Sequence, residues 1–370
     1  MADKNVSSLA FAVASLVTLS IPSIASAGNS VGQTGDSRLN NIHPDATRYY
    51  YAGADATTSQ RTNALGDDQV LFYDFLPRAP GTKAKATVVY FHGGGYNVGF
   101  ANFNSIYAEL DYFRNQGFDT ITVEYRRGWH DDGSGGVDPA LIVPGEGAQF
   151  LNAIELAKTD ALDAWNHFHT NVRANVGAYG NYLVAGESAG GSLASRVTLT
   201  NSSLNRTVVG VIVGFGTHAY DEPVVNNLPT CIQGGLFDPI QPPYEHNLFY
   251  VSEMPTTKGL FDLYYELDGM GGNVLMYMNI HDGHGFGSYA NPDGTASHYP
   301  GCKSFFKDVY KGTEEPNHIE YQFDRNDPHF PGYGPGDLVD TLIDPSFRAD
   351  PYETDFENGL TADEVMNLYF

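Results

Sequence analysis

The pentapeptide Gly186-Glu187-Ser188-Ala189-Gly190 stands between a short apolar run and a stretch of helical character. It restricts the fold more than any other feature of the chain. Gly-x-Ser-x-Gly at a strand-to-helix junction places the serine on a strained turn with its hydroxyl exposed. The glycines are needed because that turn presses backbone against backbone and leaves no space for a Cβ. A second glycine-rich turn, His92-Gly93-Gly94-Gly95-Tyr96, follows the β-branched and aromatic run at 86–91. Two such turns can bring a hydroxyl and free N–H groups to one point, as a nucleophile and an oxyanion hole require.

The rest of the pattern supplies the scaffold. Residues 69–76 alternate partly and read as an early, edge-like strand; 86–91, 120–125, 182–185, 207–215, 248–251 and 274–280 read as further strands. Helical spacing is found at 104–116, 150–169, 189–199 and 259–267. Strands that alternate with helices predict an α/β fold: a mostly parallel, doubly wound sheet flanked by helices. Reactive residues in such sheets gather at the carboxyl ends of the strands. Residues 127–148 are rich in glycine, proline and aspartate and read as a long surface loop. Residues 28–68 form an irregular lead within a main domain that spans 28–286. The stretch 287–370 carries 16 acidic and 5 basic residues and reads as an extension packed on that domain, with helices expected at 303–310 and 362–368.

Composition narrows the function. The formal net charge is −24, with 44 acidic and 20 basic residues, so the surface repels nucleic acid and anionic membranes. Residues 1–27 have the form of a cleavable signal peptide: Lys4, an apolar stretch at 9–24, then Ala25-Ser26-Ala27. The expectation is a secreted or periplasmic protein without a stable membrane anchor. The acidic and glycine-rich run at 131–138 lacks the spacing of a calcium loop, and no metal is expected. Cys231 and Cys302 are the only cysteines. In an exported chain they permit one disulfide, expected here in loops at the rim of the site.

A serine hydroxyl needs a histidine to take its proton, and the histidine needs an orienting partner. Ser188 is the candidate nucleophile. His284, flanked by Gly283 and Gly285 after the strand at 274–280, is the candidate base, with His281 as rival. The chain order nucleophile, acid, histidine calls for a carboxylate between 188 and 284. Glu253, at the end of the strand expected at 248–251, is the first choice and Asp221 the alternative; Asp238, Asp262 and Asp268 stay open. Asp282 is too near His284 in sequence to reach its far ring nitrogen. Backbone N–H groups of Gly94, Gly95 and Ala189 are the oxyanion donors. His92 is expected to anchor the loop by hydrogen bonds and to carry no proton.

On these residues the chain resembles the α/β-hydrolase carboxylesterases and lipases, both the hormone-sensitive-lipase-like esterases and the type-B group. His92–Tyr96 resembles their oxyanion motif. Tyr125-Arg126, Asp163-Ala164-Trp165 and Gly186–Gly191 match in order. The resemblance covers about 86–286. It implies hydrolysis of small-molecule carboxylic esters with short or medium acyl chains through an acyl-enzyme, without a cofactor. A serine peptidase or amidase of the same fold is the alternative, and a non-catalytic binding protein on the scaffold is a further one. The chain departs from the group after Tyr125-Arg126, where 128–147 replaces a proline-rich segment, and before the histidine, where Ser252-Glu253-Met254-Pro255 replaces an aspartate motif. The short spacing from Ser188 to His284 implies a small or absent helical cap.

Overall fold

A computed structural model describes residues 36–131, 137, 141–204, 207–219, 222–235, 238, 240–241, 243–279, 284, 299–312 and 317–322. Its centre is a nine-stranded sheet. The strands are β1 (Thr47–Tyr50), β2 (Phe72–Leu76), β3 (Thr87–Phe91), β4 (Asp119–Val123), β5 (Asn181–Glu187), β6 (Thr207–Gly214), β7 (Thr230–Gly235), β8 (Val274–Asn279) and β9 (His318–Gln322). Their spatial order is β1-β2-β4-β3-β5-β6-β7-β8-β9. Antiparallel pairing is confined to β1 with β2 and β2 with β4; every other pair is parallel. The doubly wound α/β sheet expected from the sequence is the one observed.

Among the described residues five α-helices cover it: α1 (Asn104–Asn115), α2 (Glu146–His167), α3 (Ala189–Thr198), α4 (Leu260–Gly269) and α5 (Tyr299–Lys311). Side chains alternate across each strand, so a buried parallel strand is apolar on both faces. In β3, Val89 and Phe91 join the core under α2, α3 and α4, while Val88 and Tyr90 join the opposite core with Tyr107, Leu110 and Phe113 of α1 and Phe306 of α5. Every residue of β3 is buried.

The parallel register sets the carboxyl ends of the central strands side by side. Phe91 pairs with Gly186, Glu187 with Gly214, Gln233 with Gly214, and Gly235 with Asn279. The segments that leave these ends carry His92, Ser188, Phe215, Asp238 and His284, so one edge of the sheet collects them all.

Four expectations are corrected. Residues 248–251 are not a strand: Leu248–Tyr250 is a single 3-10 turn in which Phe249 has φ 57°. A strand absent from the sequence reading, β7, runs through Thr230–Gly235. The sheet continues past residue 286, because α5 and the edge strand β9 come from the stretch read as an extension. The disulfide Cys231–Cys302 forms, with a Cα–Cα distance of 5.6 Å, but not at the site rim. It joins the second residue of β7 to α5 inside the core on the α1/α5 face. Between β7 and α4, among the described residues, no helix exceeds one turn. A short strand at Thr256–Lys258 pairs there with His246–Asn247 on one side and with His218–Ala219 on the other. The leader at 1–27 and the helix expected at 362–368 lie outside the described residues.

Candidate active site

Ser188 follows β5 directly and precedes α3, with φ 55° and ψ −124°. A non-glycine residue at positive φ is strained and persists only where its surroundings hold it. Here the Ser188 N–H donates to Gly214 O at 2.7 Å, and the Ser188 carbonyl accepts from Ser192 N at 3.0 Å. The turn also depends on missing side chains. A Cβ on Gly190 would stand 2.0 Å from Phe91 O, and one on Gly186 would stand 2.3 Å from Gly190 O. The two glycines of the pentapeptide therefore let β3, β5 and α3 meet at the serine.

The hydroxyl points to His284. His284 Nε2 lies 2.7 Å from Ser188 Oγ, and His284 Nδ1 lies 2.7 Å from Asp238 Oδ2. Asp238 is 1% exposed. Its other oxygen, Oδ1, accepts from the backbone N–H groups of Ile240 and Gln241, each at 2.8 Å. The carboxylate is thus fixed from one side by backbone donors and turned to the imidazole on the other. Phe215 packs edge-on against the His284 ring at 6.2 Å.

The carboxylate that faces His284 is therefore Asp238 and not the expected Glu253. Glu253 is exposed and its carboxylate accepts from Ser252 Oγ at 2.8 Å. With a turn in place of the expected strand, nothing carries Glu253 to the sheet edge. Asp221, the alternative acid, and His281, the rival base, lie outside the described residues. Asp262 accepts from Gly259 N at the start of α4, and Asp268 accepts from Asn317 Nδ2. The signal for Asp238 was present: Thr230-Cys231-Ile232-Gln233 is a short strand-like run, and Asp238 follows three residues after its closing Gly234-Gly235.

Opposite the hydroxyl is the glycine turn after β3. A Cβ on Gly93 would touch Ser188 Cβ at 3.1 Å, so the turn rests on Ser188. Gly94 has φ 123°, and a Cβ there would stand 2.1 Å from Val98 O; only glycine fits. Three carbonyls of the turn are drawn to the segment after β4. His92 O accepts from Tyr125 Oη at 2.5 Å, Gly95 O from Trp129 Nε1 at 2.7 Å and Tyr96 O from Gly128 N at 2.8 Å. The amides of Gly94 and Gly95 make no backbone hydrogen bond among the described residues. Ala189 is the first residue of α3, where a helix leaves its N–H without an internal partner.

His92 lies beneath this turn. Its ring stacks on Tyr125 at 4.3 Å, and Nδ1 donates to Gly93 O at 2.8 Å. Burial, reinforced by the charge of Arg127, pushes its pKa down to about 3. The ring is neutral and acts as a prop. Below it, Arg127 pairs with the buried Glu124, whose pKa burial raises, and Arg126 binds Asp160 of α2 through Nε and Nη2 at 2.7 and 3.0 Å. Asp160 also holds Arg61 at 2.9 Å. Sequence reading passed over Asp160 because an aspartate within a helix has no local mark of burial.

A cavity of about 20 Å³ begins at Gly95 and Ala189 and is closed by Phe150, Ile154, Ile240 and Phe249. That is room for about one small group next to Gly95 and Ala189. Among the described residues no cluster of His, Cys, Asp or Glu could hold a metal ion, and no helix is long and apolar enough to cross a membrane.

A mostly parallel sheet with a Gly-x-Ser-x-Gly turn and the chain order serine, aspartate, histidine is the arrangement of the α/β-hydrolase fold. No protein-family model and no curated protein sequence matches the chain. Among solved structures it is similar to an esterase of the Planctomycetes species Thermogutta terrifontis, Est2 with propionate bound: 15% identity, 74% of this chain and 97% of that one, TM-score 0.47. It is also similar to a bacterial heroin esterase, at 16% identity over 75% of this chain and 88% of that one, TM-score 0.45. A third is brefeldin A esterase, described as a bacterial homologue of human hormone sensitive lipase, at 17% identity over 73% and 77%, TM-score 0.41.

Proposed function

We propose that the chain is a serine hydrolase of small carboxylic esters. The observation that carries this reading is the continuous path from Asp238 Oδ2 through His284 to Ser188 Oγ, 2.7 Å at each step, facing the amides of Gly94, Gly95 and Ala189. Ser188 Oγ attacks the ester carbonyl carbon while His284 Nε2 takes the hydroxyl proton. The carbonyl oxygen becomes an oxyanion, which the three amides stabilise; one such donor contributes roughly 2.7–4 kcal/mol in the transition state. Asp238 holds the tautomer that leaves Nε2 free to accept, and stabilises the imidazolium. The C–O bond to the alcohol then breaks, with the proton passing from Nε2 to the leaving oxygen. Water, deprotonated by His284, attacks the acyl-serine, and collapse returns the proton to Oγ and frees the acid. The acyl group fits the small cavity beside Gly95 and Ala189, which favours acetyl and propionyl esters. The Cys231–Cys302 disulfide suits an oxidising compartment and supports export behind the leader read at 1–27.

A fluorophosphonate probe tests the reading. The folded protein should be labelled once and should hydrolyse p-nitrophenyl acetate, and Ser188→Ala should lose both. Folded protein that neither takes the probe nor releases nitrophenol overturns it.

A further inference from the structure

A second cavity, of about 460 Å³, lies on the other side of the molecule. That volume falls within the range of small-ligand sites. It opens between α1 and α5 at the starting ends of the strands, beside Ala86 before β3 and Asn181 at the first position of β5. Ser188 follows the last position of β5. Seven strand residues separate the two sites, roughly 20 Å at strand rise.

Its walls are apolar. Phe113 and Tyr112 come from α1, Phe118 from the turn after it, Ile212 from β6 and Phe306 from α5. The wall made by α5 is tethered, because Cys302 joins that helix to Cys231 of β7. A hydrogen bond of 2.8 Å from Lys303 Nζ to Gln116 Oε1 spans from α5 to the end of α1.

The mouth has the opposite charge to the rest of the chain. Lys85, Lys303 and Lys307 all border the cavity, in a protein of 44 acidic and 20 basic residues. Among the described residues none of the three makes an ion pair, whereas Lys158 and Lys258 do. Lys85 lies over the Phe118 ring at 5.4 Å. Its pKa is lowered by partial burial and then by the charge of Lys303. Three ammonium groups that border one apolar hollow, without a carboxylate partner among the described residues, favour an anion there.

We propose that this cavity binds a single-chain amphiphile with an anionic head, a medium-length fatty carboxylate being the simplest, with the alkyl chain against Phe113, Phe118, Ile212 and Phe306 and the head among Lys85, Lys303 and Lys307. The volume suits one chain. The three lysines favour an anionic head over a neutral or cationic one. The site is separate from Ser188, so occupancy does not depend on turnover.

Titration calorimetry of the full chain with decanoate, decanol and decyltrimethylammonium below their micellar concentrations tests the chemistry. A diazirine-bearing decanoate with peptide mapping tests the place. The expected result is one saturable decanoate site, with decanol and the ammonium compound at least tenfold weaker and the crosslink on peptides of α1 or α5. Lys85→Ala/Lys303→Ala/Lys307→Ala should weaken decanoate at least tenfold. Val209→Trp, which fills the cavity from β6, should remove binding while melting temperature and ester hydrolysis stay near the parent. The proposal is overturned by no saturable binding, by equal binding of decanol, by crosslinks confined to 92–96 or 188–192, or by decanoate binding unchanged in both variants.

Discussion

Replacing Asp238 by Asn separates the role of its charge and geometry from that of its bulk. In the native site Oδ1 accepts two backbone N–H groups, from Ile240 and Gln241, and Oδ2 faces His284 Nδ1. An asparagine has one carbonyl oxygen and one amino group. If the oxygen keeps the two backbone donors, the amino group is aimed at Nδ1, and the ring must accept there and carry its proton on Nε2. The flipped rotamer would set the amino group against two N–H donors and leave both buried groups unsatisfied, at about 1–3 kcal/mol each. The first arrangement therefore wins. An Nε2 that already holds a proton cannot take one from Ser188 Oγ. The same exchange in a serine-protease triad lowers kcat by about 10⁴, which is about 5.4 kcal/mol of transition-state stabilisation. The expectation for Asp238→Asn is a fall of that order in kcat on p-nitrophenyl acetate, with the melting temperature close to the parent. Glu253→Gln, on an exposed carboxylate bonded only to its neighbour's hydroxyl, should stay within a factor of about two, below what a surface change moves. A tenfold or smaller loss in Asp238→Asn, or a large loss in Glu253→Gln, would refute the assignment of the acid.

Gly94→Ala brings a Cβ to within 2.1 Å of Val98 O at a φ of 123°; the turn must shift, and kcat should fall by about 10²–10³ as for loss of one oxyanion donor, measured with acetate esters on protein shown to be folded. Ile154→Ala enlarges the cavity beside Gly95 and Ala189, so the ratio of kcat/KM for butyrate over acetate esters should rise by roughly fourfold per added methylene accommodated, the equivalent of about 0.8 kcal/mol. Breaking Cys231–Cys302, which encloses 71 residues of separation, should lower stability by about 4 kcal/mol on the loop-entropy account, read from urea melts of Cys302→Ser. His92 and His218 are buried neutral with pKa values pushed down by burial to about 3 and about 4. The unfolded chain protonates them near 6.5, so stability is present above that pH and is lost as pH falls towards 4, by up to about 1.4 kcal/mol per unit for each ring. Urea melts at pH 7 and pH 5 check this, and His218→Gln should flatten the slope.

What could be read from residues alone follows from how local each signal is. The serine turn was legible because its constraints are steric and lie within five residues: Gly186 and Gly190 exist to let β3 and α3 touch the turn. The sheet was legible because both faces of β3, β5 and β6 are buried and their runs are continuously apolar. β7 was missed for the opposite reason. Its six residues, Thr230–Gly235, include a glutamine and two glycines, and its burial comes from β6 on one side and β8 on the other. Without that strand the chain reads as having no sheet edge between Phe215 and 248, and the apolar Leu248-Phe249-Tyr250-Val251 takes its place. Phe249 cannot sit in a strand at φ 57°; it is apolar because it closes the cavity beside Ala189. Asp160 has no local signal either. Its partners Arg61 and Arg126 are 99 and 34 residues away, and the packing of α2 against the segment after β4 makes its carboxylate a support for the segment that holds the glycine turn. In this chain the serine and glycine turns are marked by local backbone need, while the carboxylates that orient their neighbours are fixed by pairings across the sheet. A carboxylate that orients a histidine is therefore found by first locating every strand end, including those whose strands are short, polar or glycine-rich.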